Sequence, residues 1–100
     1  MPDPEWHLYL VRTAAGALYT GVTTDVARRF SQHEKGRGAR ALRAKGPLTL
    51  AYSVTVGPRG DALRLEHAVK KLTATAKRAL VAANPSLAAL RSRCGLVASA

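Results

Sequence analysis

The sequence predicts a small α/β domain of the α+β kind, on three observations. Segments at 6–12, 18–23 and 47–56 carry the β-branched, aromatic and period-two character of strands. The first two are joined by a short stretch containing Gly16 that reads as a hairpin connection. Between and after them lie stretches with apolar residues at helical spacing, in a chain of 100 residues that suffices for one modest core.

In the first strand Trp6, Leu8 and Leu10 fall on one face while His7, Tyr9 and Val11 fall on the other. The second strand carries Tyr19, and whether it shares a face with Tyr9 depends on a register that the turn does not fix. Thr24 and Asp25 offer N-caps for a helix running to Lys35, where Gly36 can stop it. Within that helix Val26 and Phe30 suit the core, and Arg29 and His33, also four apart, project together along an adjacent stripe. Residues 36–46 permit a helical turn between flexible ends. In the third strand Leu48, Leu50, Tyr52, Val54 and Val56 alternate at period two. Residues 57–60 form a turn, after which Asp61 is expected to cap a helix over 62–72 with Ala62, Leu65, Val69 and Leu72 as its buried stripe. Glu66 projects about 40° from Ala62, at the edge of that stripe, while Arg64, His67 and Lys71 point away. Further helices are expected over 75–83, ended by Asn84-Pro85, and over 86–93. The resulting division is a leader at 1–5, a single domain at 6–93 and a frayed tail at 94–100.

Composition narrows the function. Sixteen Lys and Arg against six Asp and Glu give a formal charge of +10, which draws polyanions through phosphate contacts and counterion release. Lys35, Arg37, Arg40, Arg43 and Lys45 place five cations in eleven residues, either a solvated face or a phosphate-tracking loop. Cys94 is the sole cysteine, so an internal disulfide and a zinc site built on cysteine pairs are both excluded. His7, His33 and His67 have no metal-ligand spacing among themselves. No apolar run reaches the roughly 18 residues of a membrane span, no stretch suits a bilayer interface, and the leader is plain, so a cytoplasmic protein is expected.

Tyr9 and Tyr19, followed by Arg29 ten positions later, His33 four after that, and then Glu66, form an arrangement that resembles the GIY-YIG nuclease family. The likeness runs from about Trp6 through Leu72 and is closest to the small stand-alone bacterial type, UPF0213-like. It departs from the family pattern in reading His7-Leu8-Tyr9, without a glycine two positions before the tyrosine, and Tyr19-Thr20-Gly21 in the second motif. A downstream asparagine found in some members is not assigned to Asn84, which precedes Pro85.

The resemblance implies a central three-stranded antiparallel sheet flanked by helices, and an endonuclease acting on DNA in repair or recombination with one divalent ion, Mg²⁺ or Mn²⁺. It implies that Glu66 holds the metal, that Arg29 contacts the scissile phosphate, that Tyr9 and Tyr19 activate or orient water, and that His33 positions the tyrosine or relays its proton. The chemistry of each type agrees: hard cations favour carboxylate oxygen, and a guanidinium offers a charged planar fork to phosphate. A phenol with a pKa of about 10 is roughly 99% protonated at pH 8, so a tyrosine base needs activation by the metal or neighbouring cations. Arg28, Lys35, Arg37, Arg40, Arg43 and Lys45 are the expected nucleic-acid contacts, with DNA preferred over RNA. The alternatives are a nucleic-acid-binding module that keeps the fold with little cleavage, and an adaptor whose basic surface meets an acidic protein; a protein partner for substrate targeting is compatible with the first reading.

Overall fold

The computed structural model describes residues 3–96. Strand β1, Trp6–Arg12, lies in the middle of a three-stranded sheet of order β2-β1-β3, between β2, Leu18–Thr23, and β3, Thr49–Gly57, and both pairings are antiparallel. Because strand side chains alternate between faces, β1 feeds two clusters at once. Leu8 and Leu10 enter the larger one with Tyr52, Val56, Ala62, Leu65, Val69, Leu80 and Leu90, and Trp6 packs against it. Tyr9 and Val11 enter the smaller one with Leu42, and Tyr19, Val26, Phe30 and Leu48 pack around them. Both faces of β1 are therefore used, as its alternation predicts.

The third strand departs from expectation. It begins at Thr49 rather than Pro47, whose preceding peptide bond is cis. A bulge between the Leu10↔Tyr52 and Val11↔Leu50 pairs shifts its parity. The five alternating residues therefore do not share a face. Tyr52, Val54 and Val56 join the larger cluster, Leu48 packs on the smaller one, and Leu50 is 39% exposed.

Four helices flank the sheet: α1, Val26–Glu34; α2, Arg59–Lys70; α3, Ala74–Ala83; and α4, Leu87–Arg93. Asp25 caps α1, Thr73 caps α3 and Ser86 caps α4, each accepting a backbone N–H of the first turn. Asp61 does not cap α2, which starts after Pro58, so the carboxylate lies within the first turn, paired with Arg64 and favourable to the helix dipole. Ala62, Leu65 and Val69 form its buried stripe. The stretch after α1 contains one 3₁₀ turn, Arg40–Leu42, whose Leu42 is buried. Asn84 ends α3 in the left-handed conformation, and the Tyr52 hydroxyl donates to the Pro85 carbonyl at 2.7 Å, tying the α3–α4 connection to the sheet. Cys94 and Leu96 pack against the larger cluster; residues 97–100 of the expected tail and residues 1–2 of the leader lie outside the described residues. Among the described residues no helix is long and apolar enough to cross a membrane.

Candidate active site

Tyr9 occupies the centre of β1, only 2% exposed, opposite Gly21. Tyr19 pairs with Val11, two positions from Tyr9, so this register puts both phenols on one face. Helix α1 covers that face: Val26 and Phe30 pack on the smaller cluster, which turns His33 inward until it is 2% exposed. The Tyr9 Oη lies 2.8 Å from His33 Nε2, and the backbone N–H of Ala39 donates to His33 Nδ1 at 3.2 Å. The rings of Tyr9, Tyr19 and His33 form a triangle with centroids 5.6, 5.8 and 6.5 Å apart, Tyr19 meeting the imidazole edge-on.

Two glycines make this packing possible. A Cβ on Gly21 would sit 2.5 Å from the Tyr9 hydroxyl oxygen. A Cβ on Gly38 would collide with His33 Nδ1. Neither has the positive φ of Gly16 or Gly36, so close approach is the reason for glycine at both.

Arg29, one turn before His33 on α1, is held by a hydrogen bond from Nη1 to Gln32 Oε1 at 3.0 Å. Glu66 arrives from α2, which packs against β1 and β2; its side chain is 18% exposed and pairs with Lys70 at 3.4 Å. All these groups act on the Tyr9 phenol. Burial pushes its pKa above the usual 10, the Arg29 guanidinium opposes that, and the charges of Tyr19 and Glu66 add to it. Burial, and then the Arg29 charge, lower the His33 pKa below the usual 6.5, so the imidazole is neutral at neutral pH.

The basic residues divide. Arg28, Arg29, Lys35 and Arg37, with Ser31 and Gln32, line an open cleft of about 490 Å³ along α1. Arg40, Arg43 and Lys45 are exposed but do not line it. Among the described residues the ion pairs are Arg64–Asp61 and Lys70–Glu66, so the cleft's cations are free to meet phosphate. The sequence reading missed Gln32, which holds Arg29, and the Gly38-Ala39 peptide, which closes on His33. The signal for the first was its helical spacing from Arg29; the second had only an unexplained glycine.

Among the described residues no group of three or more His, Cys, Asp and Glu side chains could hold a metal ion. That donor set does not fit a closed zinc site. It does fit a hard divalent cation bound through one carboxylate, with water and phosphate oxygens completing its shell. Glu66 is the carboxylate whose charge reaches Tyr9, although α2 packs on the larger cluster and Tyr9 belongs to the smaller one.

Residues 5–79 match the family described as the GIY-YIG catalytic domain. A UPF0213 protein of Yersinia pestis (strain Pestoides F) is 56% identical over 87 residues, covering 87% of this chain and 92% of the relative. The solution structure of a UPF0213 protein from Bacillus halodurans aligns with a TM-score of 0.53 and 35% identity over 79% of this chain and 84% of that one. A protein from E. faecalis aligns with a TM-score of 0.57 and 28% identity over 83% of this chain and 90% of its own.

Proposed function

The chain belongs to the GIY-YIG nuclease family, and from that premise we propose that it is a divalent-metal-dependent endonuclease hydrolysing phosphodiester bonds in DNA. One observation carries the reading. Tyr9, within hydrogen-bonding distance of His33, lies under the charges of both Arg29 and Glu66, and Arg29 also lines the basic cleft. A phosphate entering that cleft meets its cations, Arg29 among them.

Hydrolysis needs a deprotonated water, cationic stabilisation of the five-coordinate phosphorus and neutralisation of the leaving oxygen. Arg29, aligned by Gln32, supplies a charged donor to the phosphate oxygens. Tyr9 and Tyr19 present phenolic oxygens that orient the attacking water, and Tyr9 takes its proton when ionised. The high Tyr9 pKa of the free protein means that this ionisation depends on cations added with the substrate. Glu66 would hold Mg²⁺ or Mn²⁺ after giving up its partly exposed pairing with Lys70, a contact worth little in water. When bound, that ion supplies Lewis-acid stabilisation of the phosphate and lowers the pKa of water. The remaining exposed cations Arg40, Arg43 and Lys45 extend the positive surface beyond the cleft.

The test is cleavage of labelled duplex, branched and single-stranded DNA by purified protein, with Mg²⁺, with Mn²⁺ and with neither. Glu66→Gln keeps size and removes charge, so cleavage is lost while DNA affinity holds or rises. Arg29→Ala weakens both. Equal cleavage by wild type and Glu66→Gln would mark a contaminating nuclease and leave a DNA-binding module as the surviving function.

A further inference from the structure

His33 is gripped from both sides, and the two contacts together determine where its proton sits. Nδ1 receives the backbone N–H of Ala39, and a backbone amide nitrogen can only donate. Nδ1 must therefore present a lone pair. A neutral imidazole carries one proton, which then belongs to Nε2, the atom 2.8 Å from the Tyr9 oxygen. A doubly protonated ring would set two donors, Nδ1–H and the Ala39 N–H, against each other. Burial and the charge of Arg29 already disfavour that form.

We propose that the Gly38-Ala39 peptide fixes His33 as its Nε2–H tautomer, so that His33 donates a hydrogen bond to the Tyr9 phenolic oxygen and does not accept its proton. Of the two roles compatible with a histidine here, positioning and proton relay, the contacts select the first. The Tyr9 O–H is left to point away from His33, and whichever group removes its proton lies elsewhere. A donor at the phenolic oxygen also favours the phenolate once formed. Glycine at 38 is what admits the lock, because any Cβ would drive the peptide off the ring. The lock is carried by the same basic segment as Arg37 and Arg40, whose residues flank Gly38-Ala39 in the chain. Its consequence for water activation rests on the nuclease reading; the tautomer itself does not.

Long-range ¹H–¹⁵N correlation of the imidazoles in ¹⁵N-labelled wild-type protein at pH 7 reads the tautomer directly, and the His33→Gln spectrum assigns the His33 signals among the three histidines. The expected result is a single tautomer with Nδ1 unprotonated. An Nδ1–H ring or an imidazolium overturns the proposal. Gly38→Ala should shift His33 to a mixture of tautomers while the backbone amide spectrum stays folded; an unmixed Nε2–H ring in that folded variant would remove the role assigned to the peptide. Wild type alone decides the tautomer if the variant does not fold. Nε2–H in a protein that does not cleave DNA leaves the inference standing and removes the nuclease reading, and Nδ1–H in a protein that cleaves does the reverse.

Discussion

Gly21→Ala should damage the site while adding only one methyl group. Gly21 faces Tyr9 across the β1–β2 ladder, and its new Cβ would lie 2.5 Å from the hydroxyl oxygen, 2.6 Å from Cζ and 3.0 Å from Cε1. Ordinary carbon contacts are about 3.5–4.0 Å, so ring or strand must move by about 1 Å. Tyr9 has no free side to move into: it is 2% exposed, with His33 at its oxygen and the Tyr19 ring on the same face. Overpacking of this kind costs about 1–3 kcal/mol. At about 4–8 °C per kcal/mol for a domain of this size, the melting temperature should fall by roughly 4–24 °C. A shift of about 1 Å in a catalytic group also costs on the order of 100-fold in rate. Thermal unfolding by circular dichroism and cleavage kinetics measure the two effects, with Gly60→Ala as control. The Gly60 Cβ would meet only the Arg64 guanidinium at 3.9 Å, in a helical position where alanine holds or raises stability. Wild-type melting and wild-type cleavage in Gly21→Ala would refute the close approach on which the site is built.

If the α1 cleft neutralises about four phosphates of duplex DNA, log K should fall with log salt at a slope of roughly −3.6, and Arg37→Ala should reduce that slope by about 0.9. Salt-insensitive binding, or a slope unchanged by Arg37→Ala together with Arg40→Ala and Arg43→Ala, contradicts phosphate tracking by this segment. His33 makes stability depend on pH. Its folded-state pKa lies below the usual 6.5, so as pH falls through 6.5 the unfolded chain takes up a proton that the folded one refuses. The stability His33 contributes above pH 6.5 is therefore lost below it, at up to about 1.4 kcal/mol per pH unit, until the folded pKa is reached. Urea midpoints compared at pH 7.5 and 5.5 should show this fall in wild type and a smaller one in His33→Gln; equal falls in both would place the dependence elsewhere.

The order of strands and helices was legible because each amphipathic period stands in the local sequence. The two faces of β1 could be read residue by residue, and the core stripe of α2 followed from Ala62, Leu65 and Val69. The bulge in β3 was not legible, because Leu48 through Val56 keep their period in sequence while the chain shifts register in space. Asp61 misled for a local reason: it is a good cap, but Pro58 starts the helix three residues earlier. Helical spacing brought Arg29 and His33 to one stripe, yet it could not give the burial of His33, which depends on Phe30 finding the cluster around Tyr9. Contacts between segments distant in sequence, Gly21 on Tyr9 and Gly38 on His33, leave in the sequence only a glycine, and a glycine has many causes.

The hairpin that joins β1 to β2 bears on how such a site can change over generations. Its loop closes through Thr13 N–H to the Ala17 carbonyl at 2.9 Å and is tied to the basic segment by the hydrogen bond from the Ala14 N–H to the Lys45 carbonyl at 3.0 Å. The tyrosines meet because Tyr19 pairs with Val11 and Gly21 with Tyr9, not because ten residues separate them. Insertions and deletions within the loop can therefore alter that interval while both rings stay in place. A single residue gained between Tyr9 and Val11 would instead turn one end of β1 over, trading core leucines for phenols. On this geometry the turn is where length can change at least cost to the register, so a search for relatives by fixed tyrosine spacing would pass over chains that keep the same site.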